Sequence, residues 1–92
     1  MRNLNDIFRL IFYNFKIMKD IKKYKQQLQL IGKNLKKFRI AKGLTQKQVA
    51  AAVGVSVNYI SKIENGNVLF SINLLCKFCV LFKVQPKELF ED

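Results

Sequence analysis

The stretch that decides the fold runs from Thr45 to Gly66 and reads TQKQVAAAVGVSVNYISKIENG. Its first residues form a T-x-x-Q capping box, in which Thr45 and Gln48 satisfy free amide groups at the start of a helix. Gly54 predicts the end of this helix, because glycine readily adopts the left-handed conformation that often follows a last helical turn. Ser56 is a suitable N-cap for a second helix. The stretch therefore predicts two short helices joined by a tight turn.

Each of these two helices is predicted to bury one face and to expose the other. Apolar residues at helical spacing form the inner face, namely Val49, Ala50, Val53, Val55, Ile60 and Ile63. The outer face holds Gln46, Val57, Asn58, Tyr59, Ser61 and Lys62. These outward side chains make the stretch a candidate for contact with DNA.

Further helical patterns lie on both sides of this stretch, and the sequence has no alternating strand pattern of useful length. Their approximate bounds are residues 31–42, 71–82 and 86–90. The first buries Ile31, Leu35 and Phe38, whereas Ser71 caps the second and Pro86 suits the first turn of the third. A chain of 92 residues can form one small core. We therefore expect an all-α fold.

The chain is strongly basic, with 17 Lys and Arg against six acidic residues and a formal charge of +11. Seven of the basic residues and none of the acids lie between residues 31 and 62: Lys33, Lys36, Lys37, Arg39, Lys42, Lys47 and Lys62. Such a balance favours a polyanionic partner, either nucleic acid or an anionic membrane surface. Because the basic region coincides with the two-helix stretch, it favours contacts to DNA phosphates.

From Ile31 to about Phe90, roughly two thirds of the chain, the sequence resembles the lambda-repressor/Cro-like (XRE) helix-turn-helix family. The matching motifs are Ile31-Gly32, Arg39, Gly43-Leu44-Thr45-Gln46, Val49-Ala50, Gly54-Val55-Ser56, Ile60 to Gly66, and Val84-Gln85-Pro86-Lys87-Glu88-Leu89. The resemblance implies a five-helix DNA-binding domain over residues 31–92. It also implies that the helix over residues 56–64 enters the major groove.

The resemblance implies a role for each site residue. The predicted DNA-contacting residues are Gln46, Lys47, Ser56, Val57, Asn58, Tyr59, Ser61 and Lys62. Gln46 is expected to dock its helix on the DNA backbone, and Tyr59 to pack or to bond a phosphate rather than to read a base. Asn58 suits adenine, Lys62 suits guanine and Val57 suits a thymine methyl. Arg39 and Glu64 are expected to form a structural ion pair.

Two regions depart from the family pattern. The loop Asn67-Val68-Leu69-Phe70 is apolar where many relatives have a basic residue and proline, so we expect no phosphate contact from it. The helix after this loop is apolar on nearly all sides, which predicts a second buried face. A homodimer would cover this face and place two reading helices about 34 Å apart on a palindrome.

Cys76 and Cys79 form a C-x-x-C pair inside this apolar helix. The chain has no histidine and no second cysteine pair, so one copy cannot complete a four-ligand zinc site. We therefore expect buried thiols, no metal and no cofactor.

The first 30 residues are predicted to form an amphipathic basic extension of the domain. Its apolar stripe comprises Leu4, Phe8, Ile11, Phe15 and Met18, widened by Ile7, Phe12 and Ile21, and its basic run comprises Lys19, Lys22, Lys23 and Lys25. The favoured interpretation is an extra helix that packs on the domain or on a partner. The alternatives are a membrane-surface helix and a leader from a misplaced start, with Met18 as the true start.

The sequence thus predicts a DNA-binding transcriptional regulator, a dimeric repressor or controller acting on a palindromic operator. We expect no enzyme and no small-molecule substrate, because the chain lacks histidine, a Gly-rich phosphate loop and a paired nucleophile and base. One alternative is the antitoxin of a toxin–antitoxin pair, which would bind its toxin through the fourth helix or the N-terminal segment. Another is a protein-interaction or membrane-peripheral module that does not read DNA. A cytoplasmic protein of bacterial, phage or mobile-element origin is expected.

Overall fold

A computed structural model of the protein describes residues 3–11, 16 and 24–92. The helices of the domain are α1 (Lys25–Ala41), α2 (Gln46–Val53), α3 (Val57–Glu64) and α4 (Ile72–Phe82), followed by a 3-10 helix (Pro86–Leu89). A helical segment over residues 4–11 precedes them. The described residues contain no strand, so the all-α prediction is confirmed.

The predicted caps set the ends of the short helices. The hydroxyl of Thr45 accepts from the backbone N–H of Gln48 at 3.1 Å, and the Gln48 side chain accepts from the N–H of Thr45 at 2.8 Å. Gly54 ends α2 in the left-handed conformation, with φ at +79°. Ser56 caps α3 and Ser71 caps α4, each through its side-chain oxygen. The tight turn between α2 and α3 therefore forms as the local sequence predicts.

The core lies where these helices meet. Its buried apolar residues are Ile31, Leu35, Val49, Ala50, Val53, Ile60, Ile63, Leu74, Phe78, Cys79, Phe82 and Leu89. Phe78 stacks on Phe82 with ring centroids 6.1 Å apart, and Phe70 meets Phe78 edge-on at 5.7 Å. The apolar loop after α3 therefore covers the core with the side chain of Phe70. Phe38 and Val55, which are predicted to be buried, are only partly so.

The predicted start of the first helix at Ile31 is wrong by six residues, since α1 begins at Lys25. Residues 25–30 read KQQLQL, which favours a helix by composition but has too few apolar residues for a clear periodic signal. A contact distant in sequence supports this extra turn, because the Lys25 ammonium donates to the carbonyl oxygen of Gly66 at 2.8 Å. Helix α1 therefore runs across the predicted domain boundary at residue 30.

The other helix ends differ from the predicted ones by a residue. Helix α1 ends at Ala41 rather than Lys42, and the last helix is a single 3-10 turn that stops at Leu89 rather than Phe90. Leu89 is fully buried, while the side chain of Phe90 is 54% exposed. The last turn therefore serves to bring Leu89 into the core.

Two residues of α1 make close contacts with the rest of the domain. A Cβ atom on Gly32 would lie 2.4 Å from the carbonyl oxygen of Ile63, so the backbones of α1 and α3 touch at this point. Asn34 is buried, and its side-chain amide donates to the carbonyl oxygens of Leu89 and Glu91, each at 2.8 Å. These contacts hold α3 and the C-terminal residues against α1.

The N-terminal segment over residues 4–11 exposes its apolar side chains. Leu4 is 71% exposed, Phe8 64% and Ile11 47%, so these three do not pack on the domain in this structure. The remaining residues predicted for this extension lie outside the described part of the chain: Phe12, Phe15, Met18, Lys19, Ile21, Lys22 and Lys23. Of the helices in the described part, none is long and apolar enough to cross a membrane.

Candidate nucleic-acid interface

The exposed surface at the start of α3 holds the side chains expected to read DNA. Val57 is 44% exposed at the first helical position and Asn58 is exposed at the second, while Lys62 is exposed in the last turn of the same helix. Ser56 is also exposed, with its hydroxyl accepting from the backbone N–H of Tyr59 at 3.1 Å. Lys47 is exposed in the first turn of α2. The turn between α2 and α3 thus leaves polar and apolar side chains together on an open surface.

A hydrogen-bonded network behind this surface joins three elements. The guanidinium of Arg39 binds the carboxylate of Glu64 through two bonds, of 2.7 Å from Nε and 3.1 Å from Nη2. The same guanidinium donates to the carbonyl oxygen of Leu44 at 3.0 Å. The Arg39 side chain is only 12% exposed and that of Glu64 only 5%, so water competes weakly for these bonds. The ion pair that the resemblance implies therefore links α1, the start of α2 and the last residue of α3.

Gln46 belongs to this network rather than to the open surface. Its amide nitrogen donates to the carboxylate of Glu64 at 3.0 Å, and its side chain is half-buried. The prediction that Gln46 faces outward is therefore wrong, because a charged acceptor at the end of α3 binds its amide. Its docking role on the DNA backbone stays a prediction.

Tyr59 and Ser61 are also less exposed than the sequence predicts. The Tyr59 hydroxyl donates to the carbonyl oxygen of Leu69 at 3.1 Å, and the ring packs against the core cluster. Ser61 is half-buried on the same helix. The loop after α3 folds back over Tyr59, which explains the lower exposure of that side chain. Tyr59 therefore serves mainly to hold that loop, which agrees with the expectation that it packs or bonds a phosphate rather than reads a base.

Residues of α1 that the sequence does not predict to belong to the site hold the end of α3. The ammonium of Lys25 bonds both the carbonyl of Gly66 and the side-chain oxygen of Asn67, in the turn that follows α3. Gly66 is buried against the backbone of Gln29. Gly32 is a sequence signal that α1 packs closely against another element. A glycine inside a helix costs about 1 kcal/mol relative to alanine, which suggests that a side chain would not fit there.

Six lysines between residues 33 and 62 are exposed, and two of them, Lys33 and Lys37, line a cleft together with Asp92. Lys33, Lys36, Lys37, Lys42, Lys47 and Lys62 all have exposed side chains. Glu64 is the acid closest in sequence to the reading turn, and Arg39 neutralises it. The ammonium groups of Lys36, Lys42, Lys47 and Lys62 are therefore available to a polyanion.

The two cysteines of α4 differ in exposure. Cys76 is exposed and Cys79 is buried, and both are free thiols. The expectation of buried thiols is therefore wrong for Cys76, which lies on the solvent-facing part of the helix. Burial raises the pKa of the Cys79 thiol, and the nearby Cys76 and Glu88 raise it further. Cys79 therefore packs as a neutral thiol, as expected for a buried cysteine. Within the described ranges, no group of three His, Cys, Asp or Glu residues is arranged to hold a metal ion.

Comparison with known sequences gives a family match over residues 35–89, described as helix-turn-helix. The antitoxin PezA of Streptococcus pneumoniae is 42% identical over 55 residues, which cover 60% of this chain. The chain spans only 35% of that antitoxin's length. The uncharacterized HTH-type transcriptional regulator YazB of Bacillus subtilis is 32% identical over 63 residues, which cover 68% of this chain and 91% of YazB.

Solved structures of transcriptional regulators share the fold. The restriction-modification controller protein C.AhdI from Aeromonas hydrophila superposes with a TM-score of 0.64 at 32% identity, over 68% of this chain and 96% of that protein. The clp gene regulator ClgR from Corynebacterium glutamicum superposes with a TM-score of 0.65 at 30% identity, over 68% of this chain and 67% of that protein. The matched part in both cases is about as long as the domain formed by α1 to the 3-10 helix.

Proposed function

This chain belongs to the helix-turn-helix family, and from that premise we propose that it is a DNA-binding transcriptional regulator whose helix α3 reads a palindromic operator as a dimer. It acts as a repressor or controller at a promoter. The observation that carries the proposal is the open face of α3, where Val57 and Asn58 in the first turn and Lys62 in the last turn stand exposed on a helix held from behind by the Arg39–Glu64 pair.

The chemistry of these three exposed side chains matches the edges of bases in the major groove. The amide of Asn58 can pair with adenine, the ammonium of Lys62 with guanine acceptors, and the side chain of Val57 with a thymine methyl. Exposed lysines on α1 and α2 supply contacts to phosphates, which position the helix without reading sequence. A rigid support matters here, because a base-reading side chain must be held in a fixed register.

The test is selection of genomic DNA fragments by the purified chain at about 150 mM salt, followed by sequencing. A regulator enriches a palindrome. Replacing Asn58 by alanine should weaken binding to that palindrome by about tenfold to 100-fold and relax the preference at one base pair. Lys62→Ala should lower affinity as well, while Lys87→Ala, which removes an exposed charge from the 3-10 helix, serves as the control. Retention of random fragments without any enriched sequence would refute sequence-specific regulation.

The similarity to antitoxin PezA supports a second candidate function, in which the chain also binds and neutralises a toxin. The similarity covers about a third of that protein, so the toxin-binding part need not be shared. Growth of cells that express the adjacent gene, with and without this chain, distinguishes the two functions. Rescue of growth would favour an antitoxin, and no effect of the adjacent gene on growth would exclude it.

The remaining interpretations are outcomes of the same experiments. A chain that enriches no DNA yet sediments with anionic vesicles would be a membrane-peripheral module, whereas one that does neither would be an interaction module. We place the regulator in the cytoplasm of its cell, because it must reach the DNA it controls.

A further inference from the structure

The N-terminal segment over residues 4–11 carries an apolar stripe that nothing in the described chain covers. Leu4, Ile7, Phe8 and Ile11 are all exposed, Leu4 by 71% and Phe8 by 64%. Their spacing of three and four residues places them on one face of a helix. The fold therefore leaves a continuous apolar stripe in water, and a surface of this kind marks the site of an interaction.

The opposite face of the segment is polar. Asn5 and Arg9 lie one turn apart on it, with Asp6 beside them, and all three are exposed. Lys16, seven positions after Arg9, is also helical and exposed. An apolar stripe on one face with basic residues on the other is the pattern of a helix that lies in a membrane surface.

The sequence around the segment is basic. Residues 1–25 contain seven Lys and Arg against two Asp, a balance of +5. A cluster of about four to eight basic residues on an amphipathic helix is attracted to anionic lipid head groups. An anionic bilayer therefore matches both faces, because its acyl chains accept the apolar stripe and its head groups meet the basic residues.

These properties favour a lipid surface over the other partners. DNA would meet the positive charges, but it offers no hydrocarbon region for Leu4 and Phe8. A second copy of the chain is repelled, because each copy carries a formal charge of +11. A helix of eight residues is about 12 Å long, whereas the hydrocarbon core of a bilayer is about 30 Å thick. The segment therefore suits a position along the surface of the bilayer.

We propose that the N-terminal segment binds the surface of an anionic bilayer, with its apolar stripe among the acyl chains and Arg9 and Lys16 at the head groups. The segment tethers the domain to the membrane. It shares no residue with α3, so the side chains proposed to read DNA stay free. This inference goes beyond the proposed function and does not depend on it, because lipid binding uses a separate part of the chain.

The first test is flotation of the full chain with vesicles at about 150 mM salt, without DNA. The vesicles contain phosphatidylcholine, either alone or mixed with an equal part of phosphatidylglycerol. The wild-type chain should float with the mixed vesicles and far less with phosphatidylcholine alone. Phe8→Asp should lower the partition coefficient by about tenfold to 100-fold, because the acyl chains no longer bury the ring.

Val80→Asp is the matched control for Phe8→Asp. It makes the same change of charge and also removes an exposed apolar side chain, but from α4. A wild-type chain that does not float with the mixed vesicles would overturn the proposal. Flotation that Phe8→Asp leaves unchanged would overturn it as well, because the lysines of the domain would then account for the binding. An equal loss in Val80→Asp would place the lipid contact on α4 and reject the segment.

A second test measures the contribution of the basic face. Arg9→Gln and Lys16→Gln should each lower the partition coefficient on mixed vesicles about fivefold, because each removes one charge at the head groups. Lys87→Gln removes an exposed charge from the 3-10 helix and should have little effect. Equal losses in all three variants would show that only the net charge matters, which would contradict a specific role for the segment.

A third test locates the apolar stripe relative to the bilayer. The chain contains no tryptophan, so Phe8→Trp introduces a single indole. On mixed vesicles its emission should shift to shorter wavelength and be quenched by lipids brominated in their acyl chains. Asn5→Trp, on the polar face, should be quenched less. Equal quenching at the two positions would refute the proposed orientation of the segment.

The results with lipid and with DNA can be separated. A chain that floats with the mixed vesicles but enriches no operator would retain the lipid contact and reject the regulator. A chain that enriches a palindrome but does not float would keep the regulator and reject the lipid contact alone.

Discussion

Replacing Gly32 by alanine should destabilise the domain, although helix propensity alone predicts the opposite. Gly32 lies inside α1, where alanine is favoured over glycine by about 1 kcal/mol. A Cβ atom at this position would however lie 2.4 Å from the carbonyl oxygen of Ile63 and 2.6 Å from that of Glu64. Both contacts are with backbone atoms, so no flexible side chain can move aside. Whether Gly32→Ala raises or lowers the free energy of unfolding therefore reports whether the backbones of α1 and α3 touch.

The magnitude follows from the separation that the clash demands. Ordinary van der Waals contact begins at 3.4 Å, so α1 and α3 would have to separate by about 1 Å at this point. A gap of that size loses a quarter to a half of the dispersion energy of the atoms it divides, among them buried Ile31 and Ile63. Overpacking of this kind costs about 1–3 kcal/mol of folding stability. Only the lowest values in this range fail to exceed the gain in helix propensity from glycine to alanine. Because both clashing contacts are with backbone atoms, we expect the upper half of that range, about 2–3 kcal/mol. After the propensity gain this leaves a net loss of about 1–2 kcal/mol and a melting temperature lower by about 4–16 °C.

The assay is urea unfolding followed by far-UV circular dichroism, with a thermal melt as a second measurement. Lys36→Ala and Lys36→Gly form the matched control, because Lys36 is exposed on the same helix and reports the propensity difference without a clash. If Gly32→Ala is as stable as the wild type or more so, the close approach of α1 and α3 is refuted. The cost of the clash is the measured loss plus the stability difference between the two Lys36 variants, because propensity alone would make Gly32→Ala more stable by that difference.

Three further variants test other parts of the structure. Arg39→Ala leaves Glu64 buried without its partner and should lower the free energy of unfolding by about 3 kcal/mol in chemical denaturation, whereas an unchanged value would show that the pair is dispensable. Lys25→Met should speed amide hydrogen exchange in the turn after α3 but leave the salt dependence of DNA binding unchanged. If the slope of log binding constant against log salt concentration became smaller by about 0.9, Lys25 would instead be a phosphate contact. Because its pKa is raised above the usual 9.0, Cys79 should react with iodoacetamide far more slowly than Cys76 in the folded chain and equally fast in denaturant, as mass spectrometry can follow. The folded state keeps the Cys79 thiol protonated at a pH where the thiol of the unfolded chain ionises. The contribution of this thiol to the free energy of unfolding is therefore present below about pH 9 and is lost as pH rises further.

Much of the local structure could be predicted because it depends on neighbours in the sequence. The capping box of Thr45 with Gln48 involves residues three apart, and so does the cap of α3 by Ser56. Gly54 takes a positive φ that other residues resist, which marks the turn from one residue alone. The apolar periodicity of α2 and α3 likewise identified the buried face, because a helix presents every third or fourth residue to the same side.

Three departures from prediction involve contacts between residues far apart in the chain. The start of α1 depends on a bond from Lys25 to a turn 41 residues later. Gln46 is held by Glu64, 18 residues away, so its own helix cannot reveal that its amide is engaged. Tyr59 is covered because the loop at Leu69 returns over α3. No pattern within a single helix contains these partners.

The sequence by itself determined where the helices of the domain lie, apart from the first six residues of α1, which face of α2 and α3 is buried, and which family the chain resembles. Those properties follow from caps, glycine and apolar spacing, which act within a few residues. The tertiary structure alone decided which of the outward residues of α2 and α3 stay open, because that depends on what packs beside each helix. It engages Gln46 and Tyr59 and leaves Val57, Asn58 and Lys62 exposed.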